Sequence, residues 1–148
     1  IGYVQRENDI LTERDFSGLT GRLSADYLAS GKTTLTAAIY REIENAYESF
    51  ASYLINTGGT LEAEWAASAK LTVRANVGFE NRVYEGAFVS LIGPQRDDDT
   101  LAGSLSLTYA PVPMASFDLG VQAGRRNSNI DVYSYTFHAV FVSVRMDF

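Results

Sequence analysis

Alternation of apolar and polar residues is the feature that most limits how this sequence can fold. In the final stretch, VFVSVRMDF, Val140, Val142 and Val144 share one parity, whereas Ser143 and Arg145 share the other. Because successive side chains of a β-strand point to opposite faces, this stretch predicts a strand with one apolar and one polar face. Such a strand fits a membrane barrel, which has lipid on one side and a polar lumen on the other.

The same alternation returns in three earlier hairpins, at 19–43, 55–84 and 101–125, roughly 40 residues apart. Short turns alternate with long polar segments between these hairpins. Helical periodicity is sustained nowhere, and the one ambiguous stretch, 42–51, is interpreted as loop and strand ends. The pattern predicts an all-β, antiparallel up-and-down transmembrane barrel, with about eight strands in this chain.

Composition limits the class of protein and its partners. With 148 residues the chain is one domain or a piece of one. No window approaches the roughly 18 uncharged apolar residues of a membrane-spanning helix, and the mean hydropathy of −0.07 fits a barrel, whose strands are only half apolar. Cysteine is absent, which excludes disulfides and thiol chemistry, and the net charge of −6 argues against nucleic acid as a partner.

The two faces of the predicted strands carry different residues. Charged residues occupy the polar face, and those predicted to face the lumen are Arg22, Asp26, Glu62, Glu64, Arg74, Glu80, Asp118 and Arg145. Large aromatic residues stand on the apolar face just before short turns, where an interfacial girdle is expected. The predicted membrane-interface aromatics are Tyr27, Trp65, Tyr109 and Phe148. A soluble antiparallel sheet with its polar face in water is the alternative.

Most of the chain also resembles a known group of proteins. The carrying stretches begin SGLTGRLSADYLASGK, LEAEWAASAK, RDDDTLAGSLSLTYAPVP and GRRNSNIDVYSYTFHAVF, and lie at 17–42, 61–86, 96–120 and 124–148. They resemble EpsL-type outer-membrane proteins of exopolysaccharide operons, within the "putative beta-barrel porin 2" grouping. The resemblance implies a bacterial outer-membrane protein associated with export or assembly of an extracellular polysaccharide. It also implies a longer parent chain, of which residues 1–148 would be the C-terminal part of the barrel.

Several residues have a functional and a structural interpretation. Glu62 and Glu64 could form an acidic strip with Asp118, or belong to an ordinary charged lumen paired with arginines such as Arg22 and Arg74. The aspartate run at 97–99 could hold a divalent cation, although such a run is more often solvated. His138, the one histidine, has no partner at metal-ligand spacing, so that neither a metal nor a cofactor is expected.

Aromatic and basic residues leave further alternatives. Tyr40, Tyr133 and Tyr135 could stack on sugar rings or anchor the protein at the membrane interface. Arg125 and Arg126 could contact lipopolysaccharide phosphates or mark a loop boundary. In the last strand, the aromatic residues at 133–137 fall on the same face as the polar Ser143 further along the strand. Either a bulge near His138 resets the register, or that half of the strand rises above the membrane.

No residue pattern suggests an enzyme, and three functions remain in competition. The first is a passive, porin-like channel or export-associated barrel for an exopolysaccharide. The second is a non-conducting structural or assembly barrel, and the third is a soluble carbohydrate-binding module. The expected partners are outer-membrane lipid and lipopolysaccharide, a polysaccharide, and the barrel-assembly machinery through the C-terminal strand.

Overall fold

Eight antiparallel strands form the whole architecture. The structure, a computed structural model, describes residues 1–7, 15–45, 51, 53–85 and 95–147. The strands are β1 (Gly2–Arg6), β2 (Phe16–Ser30), β3 (Thr33–Asn45), β4 (Tyr53–Ser68), β5 (Leu71–Glu85), β6 (Asp97–Val112), β7 (Ala115–Ser128) and β8 (Tyr135–Met146). Each strand pairs with the next one in the chain, and a short 3-10 helix, Asp131–Tyr133, precedes β8. No helix among the described residues has the length and apolar character needed to cross a membrane.

The register of the sheet carries the sequence alternation from strand to strand. One continuous row runs across seven strands and consists of Asp26, Thr36, Glu62, Asn76, Ser104, Gln122 and Ala139. Since side chains alternate along each strand, even-numbered residues of β2–β7 and odd-numbered residues of β8 share one face. We call this the polar face, and the opposite one the apolar face.

The apolar face is exposed rather than packed into a core. Leu23 is 63% exposed and Val142 is 72% exposed, and both lie on this face. The cluster of buried apolar residues in the described chain contains only Ala51, Leu54 and Tyr84. Soluble monomers rarely expose apolar patches larger than a few hundred Å². An exposed apolar face of this extent indicates contact with an apolar surface outside the described residues.

The two ends of the strands are connected differently. At the short-turn end, tight turns join β2 to β3, β4 to β5 and β6 to β7. Two of these turns are built alike, because the Ser30 and Ser68 hydroxyl oxygens accept hydrogen bonds from the backbone N–H groups of Lys32 and Lys70, both at 3.2 Å. At the opposite, long-loop end, the strands are joined by segments of seven or more residues or by the turn that holds the 3-10 helix.

These observations confirm the predicted all-β up-and-down sheet with eight strands. The sheet is open, since β1 pairs with β2 and β8 with β7 but not with each other in the described structure. Of the two alternatives for the last strand, the bulge near His138 is wrong, because the pairing of β7 with β8 runs unbroken from Arg126–Tyr135 to Ala115–Met146. That the upper half of this strand rises above the membrane stays a prediction. Of the ambiguous stretch, residues 42–45 belong to β3, whereas 46–50 lie outside the described residues.

Candidate functional site

The predicted charged residues come together on one surface. The register places on the polar face Arg22, Asp26, Glu62, Glu64, Arg74, Glu80, Asp118 and Arg145. Tyr27, Trp65 and Tyr109 lie on the apolar face, next to the short turns. Phe148 falls outside the described residues. That the polar face lines a lumen stays a prediction.

A chain of polar contacts crosses four strands near the short-turn end. Arg74 Nε donates to Glu64 Oε2 at 2.7 Å, and Arg74 Nη1 lies 3.5 Å from Thr108 Oγ1. Thr108 Oγ1 in turn donates to Asp118 Oδ1 at 2.5 Å. Both members of the Glu64–Arg74 pair are 45% exposed. Glu64 and Asp118 are therefore held by an arginine and a threonine, as in the charged lumen of the structural interpretation.

The row in the middle of the polar face differs from its neighbours. Asp26 accepts a hydrogen bond from Thr36 Oγ1 at 2.7 Å. The remaining polar side chains of this row make no side-chain hydrogen bond or ion pair to another described residue, namely Glu62, Asn76, Ser104 and Gln122. This row consequently offers donors and acceptors that the described protein leaves unused.

Toward the long-loop end, charged and aromatic side chains interlock. The Tyr40 hydroxyl donates to Glu80 Oε2 at 3.1 Å, across the intervening strand β4. The Arg22 guanidinium lies 5.1 Å from the centre of the Tyr40 ring and 3.5 Å from Glu42 Oε1. Arg82 Nε approaches Glu80 Oε1 at 2.6 Å. Tyr40 is thus engaged by charged side chains on the polar face.

The long-loop end contains a buried ion pair that sequence reasoning missed. Arg96 binds Asp98 through Nε, 3.0 Å from each carboxylate oxygen, and through Nη2 at 2.6 Å from Oδ2. Their side chains are 3% and 0% exposed. The guanidinium carbon lies 4.4 Å from the centre of the Tyr84 ring and 3.6 Å from that of Tyr133. Because Tyr133 belongs to the 3-10 helix, this cluster fastens the β7–β8 connection to the sheet.

The aspartate run at 97–99 is divided between the two faces. The solvated interpretation is wrong for Asp98, which is fully buried on the polar face. Asp97 and Asp99 lie on the other face, where Asn81 Nδ2 donates to both, at 2.7 and 3.0 Å. The described residues contain no group of three or more side chains that could hold a metal ion.

Three further predicted residues occupy definite positions. His138 pairs with Ala123 and lies on the apolar face. Arg125 and Arg126 are inside β7 rather than in a loop, and they point to opposite faces. Arg126 reaches the polar face, where Nη1 lies 3.8 Å from Asp98 Oδ2 and the guanidinium lies 5.2 Å from the Tyr135 ring.

Aromatic rings on the polar face lie across glycines of the neighbouring strand. Phe141 pairs with Gly120, and a side chain at Gly120 would collide with the Phe141 ring. Phe137 pairs with Gly124, where an added Cβ would come within 2.7 Å of that ring. Tyr40 covers Gly58 on β4 in the same way. A glycine on the polar parity, opposite an aromatic residue, was the signal available in the sequence.

The comparisons with known proteins agree with this architecture. A family model described as "Putative beta-barrel porin 2" matches residues 1–148. No curated protein and no solved structure matches the chain. Since the family model covers every residue, including all eight strands and both faces of the sheet, this chain belongs to the Putative beta-barrel porin 2 family.

Proposed function

We propose that this protein is a porin-like channel of the bacterial outer membrane that takes part in the export or assembly of an extracellular polysaccharide. One observation carries the channel proposal. The polar face holds charged and hydrogen-bonding side chains across β2–β8, directly behind an exposed apolar face. In a membrane barrel this arrangement gives a polar lumen inside a lipid-facing wall. The resemblance to EpsL-type proteins and the aromatic rings on the polar face support the polysaccharide part.

The partners follow from the same arrangement. Lipid and lipopolysaccharide would cover the apolar face, with Tyr27, Trp65 and Tyr109 at the short-turn interface. The barrel-assembly machinery would engage the C-terminal strand β8, whose outer edge is unpaired in the described structure. Closure of the sheet by further strands of a longer chain stays a prediction.

Reconstitution of the full-length protein in planar lipid bilayers tests the channel. We expect discrete conductance steps, since a lumen lined by charged and hydroxyl side chains admits water and ions. Addition of the native polysaccharide should interrupt the current. Correctly folded protein that inserts without conductance would instead favour the second candidate, a non-conducting assembly barrel. The buried Arg96–Asp98 cluster favours that candidate, because it fixes a connection against the polar face.

A pair of substitutions on β6 tests which face meets lipid. Leu105→Arg places a charge on the apolar face, and we expect it to lower the free energy of unfolding by about 2–4 kcal/mol, the cost of an arginine near the bilayer midplane. Ser104→Arg, one residue away on the polar face, should change it by less than about 1 kcal/mol. Denaturant unfolding in lipid vesicles measures both values, and equal costs would contradict the assignment of the faces.

A further inference from the structure

We infer that the β8 side of the polar face binds a neutral sugar polymer, which stacks on Phe137 and Phe141 and hydrogen-bonds to the free polar row beside them. This inference rests on the proposed function, because it assumes that the polar face lines the path taken by a polysaccharide. It names the chemistry of the ligand and the residues that would contact it.

The first argument is the position of the two rings. Phe137 and Phe141 are aromatic, but the unbroken alternation of β8 places both of them on the polar face. Each ring lies over a glycine of β7 and occupies the space that a side chain at that glycine would fill. Phe141 is 41% exposed, and its outward side is an apolar surface in otherwise polar surroundings. An aromatic ring that is open on a polar face provides a flat surface on which a ligand can stack.

The second argument is the row that runs between the two rings. Ala139, Gln122, Ser104, Asn76 and Glu62 follow one another across five strands. Ala139 leaves the space between the rings open. The other four offer amide, hydroxyl and carboxylate groups that have no side-chain partner among the described residues. A planar apolar surface therefore adjoins a strip of unused donors and acceptors.

Sugar rings match this combination. The C–H groups on one side of a pyranose ring form an apolar surface that packs on an aromatic ring, while its hydroxyl groups donate and accept hydrogen bonds around the edge. Phe137 and Phe141 are four residues apart, which at the rise of a β-strand is about 13 Å. Two rings at that separation suit a chain of several sugars better than a single sugar.

Charge selects a neutral polymer over an acidic one. Glu62 is the free charged group of the row, and it would repel carboxylate or sulfate groups on a polymer. Arg126, the cation of β7 on this face, already lies between Asp98 and the Tyr135 ring. Arg145, the cation of β8 on the same face, lies four residues beyond Phe141 toward the short-turn end, outside the stretch between the two rings. The tyrosines predicted to stack on sugars are engaged as well, since Tyr40 donates to Glu80 and Tyr133 packs on Arg96.

Substitutions of the two rings provide the test. Phe137→Leu and Phe141→Leu keep an apolar side chain over the glycines but remove the flat aromatic surface. Phe117→Leu is the matched control, because Phe117 is 42% exposed on the apolar face of β7. The ligands are neutral linear hexasaccharides of glucose, galactose and mannose, titrated by calorimetry into the detergent-solubilised full-length protein. Gln122→Ala serves as a second variant, since its side chain is exposed and makes no side-chain hydrogen bond to another described residue.

We expect each ring variant to bind the preferred hexasaccharide about fivefold more weakly, the double variant about twentyfold more weakly, and the control with unchanged affinity. Gln122→Ala should weaken binding by about threefold. Unchanged affinity in the ring variants, or no saturable binding of any hexasaccharide by the wild type, overturns the inference. Bilayer conductance is recorded separately for every variant. If the wild type conducts but its sugar binding does not depend on the rings, the sugar-binding inference is wrong and the channel proposal stands. If binding depends on the rings but no conductance is seen, the channel proposal is wrong and the sugar-binding inference stands.

Discussion

Two regions of the polar face differ in how the hydrogen-bonding groups of their polar side chains are satisfied. At the long-loop end, Arg96 and Asp98 are buried, hydrogen-bonded to each other and enclosed by two tyrosine rings. In the middle row, Asn76, Ser104 and Gln122 have no side-chain partner in the described structure. Buried charges are tolerated only when they are paired, whereas water satisfies polar groups that are exposed to it. The first region therefore holds the sheet together, and the second leaves its polar groups to the solvent.

Removal of Arg96 should have the largest effect. Arg96→Ala leaves the fully buried Asp98 carboxylate with Arg126, at 3.8 Å, as its remaining ion-pair partner among the described residues. Breaking a buried pair costs roughly 3–5 kcal/mol, and we expect about 3 kcal/mol here because Arg126 compensates in part. Urea unfolding in lipid vesicles measures the change.

The middle row supplies the control for that substitution. Gln122→Ala should alter the free energy of unfolding by less than about 0.5 kcal/mol, since the side chain is exposed and unpaired. Similar losses for Arg96→Ala and Gln122→Ala would show that the two regions do not differ in the way the contacts indicate.

Gly120, on the polar face beside the middle row, should tolerate substitution less well than the polar residues of that row. In Gly120→Ala the new methyl group meets the Phe141 ring, which must move. Overpacking of this kind costs about 2 kcal/mol. Gly78→Ala is the matched control on the polar face of β5, where the nearest atom, Thr60 Cγ2, would lie at an ordinary 3.4 Å.

A second substitution distinguishes collision from backbone strain. If the ring causes the loss, Gly120→Ala combined with Phe141→Ala should be less destabilised than the sum of the two single variants. Additive losses in the same unfolding measurement would place the cause in the backbone of β7 instead.

The fold and the composition of both faces were predictable because β-strands have a strict period of two. Once Leu105 and Val142 are placed on one face, alternation along each strand puts the eight predicted charged residues, from Arg22 to Arg145, on the other. The antiparallel order follows from the short turns around Gly31 and Ala69, which allow only neighbouring strands to pair. Periodicity alone carried these predictions.

The contacts between distant strands were not predictable from periodicity. The sequence places Arg96 two residues before Asp98, but burial of the pair depends on Tyr84 from β5 and Tyr133 from the β7–β8 connection. The aromatic parity at 135–137 suggested a bulge because a polar face was expected to be uniformly polar. In fact the register is unbroken, and glycines on β7 make room for the rings. The small volume of the residues on the neighbouring strand therefore allows aromatic rings on the polar face without a bulge.

The exposed ion pair between Glu64 and Arg74 can be compared with the buried pair of Arg96 and Asp98, and we expect it to have the smallest effect on stability. It has a short contact of 2.7 Å, comparable with that of Arg96 and Asp98, but each partner is 45% exposed. Exposed pairs typically contribute about 0.2–1 kcal/mol, because water and salt screen the attraction. A double-mutant cycle with Glu64→Ala and Arg74→Ala should therefore give a coupling energy of about 0.5 kcal/mol, decreasing as salt is raised. The same cycle on Arg96 and Asp98 should give a much larger coupling with little dependence on salt. Equal coupling energies would show that burial does not determine the strength of these two ion pairs.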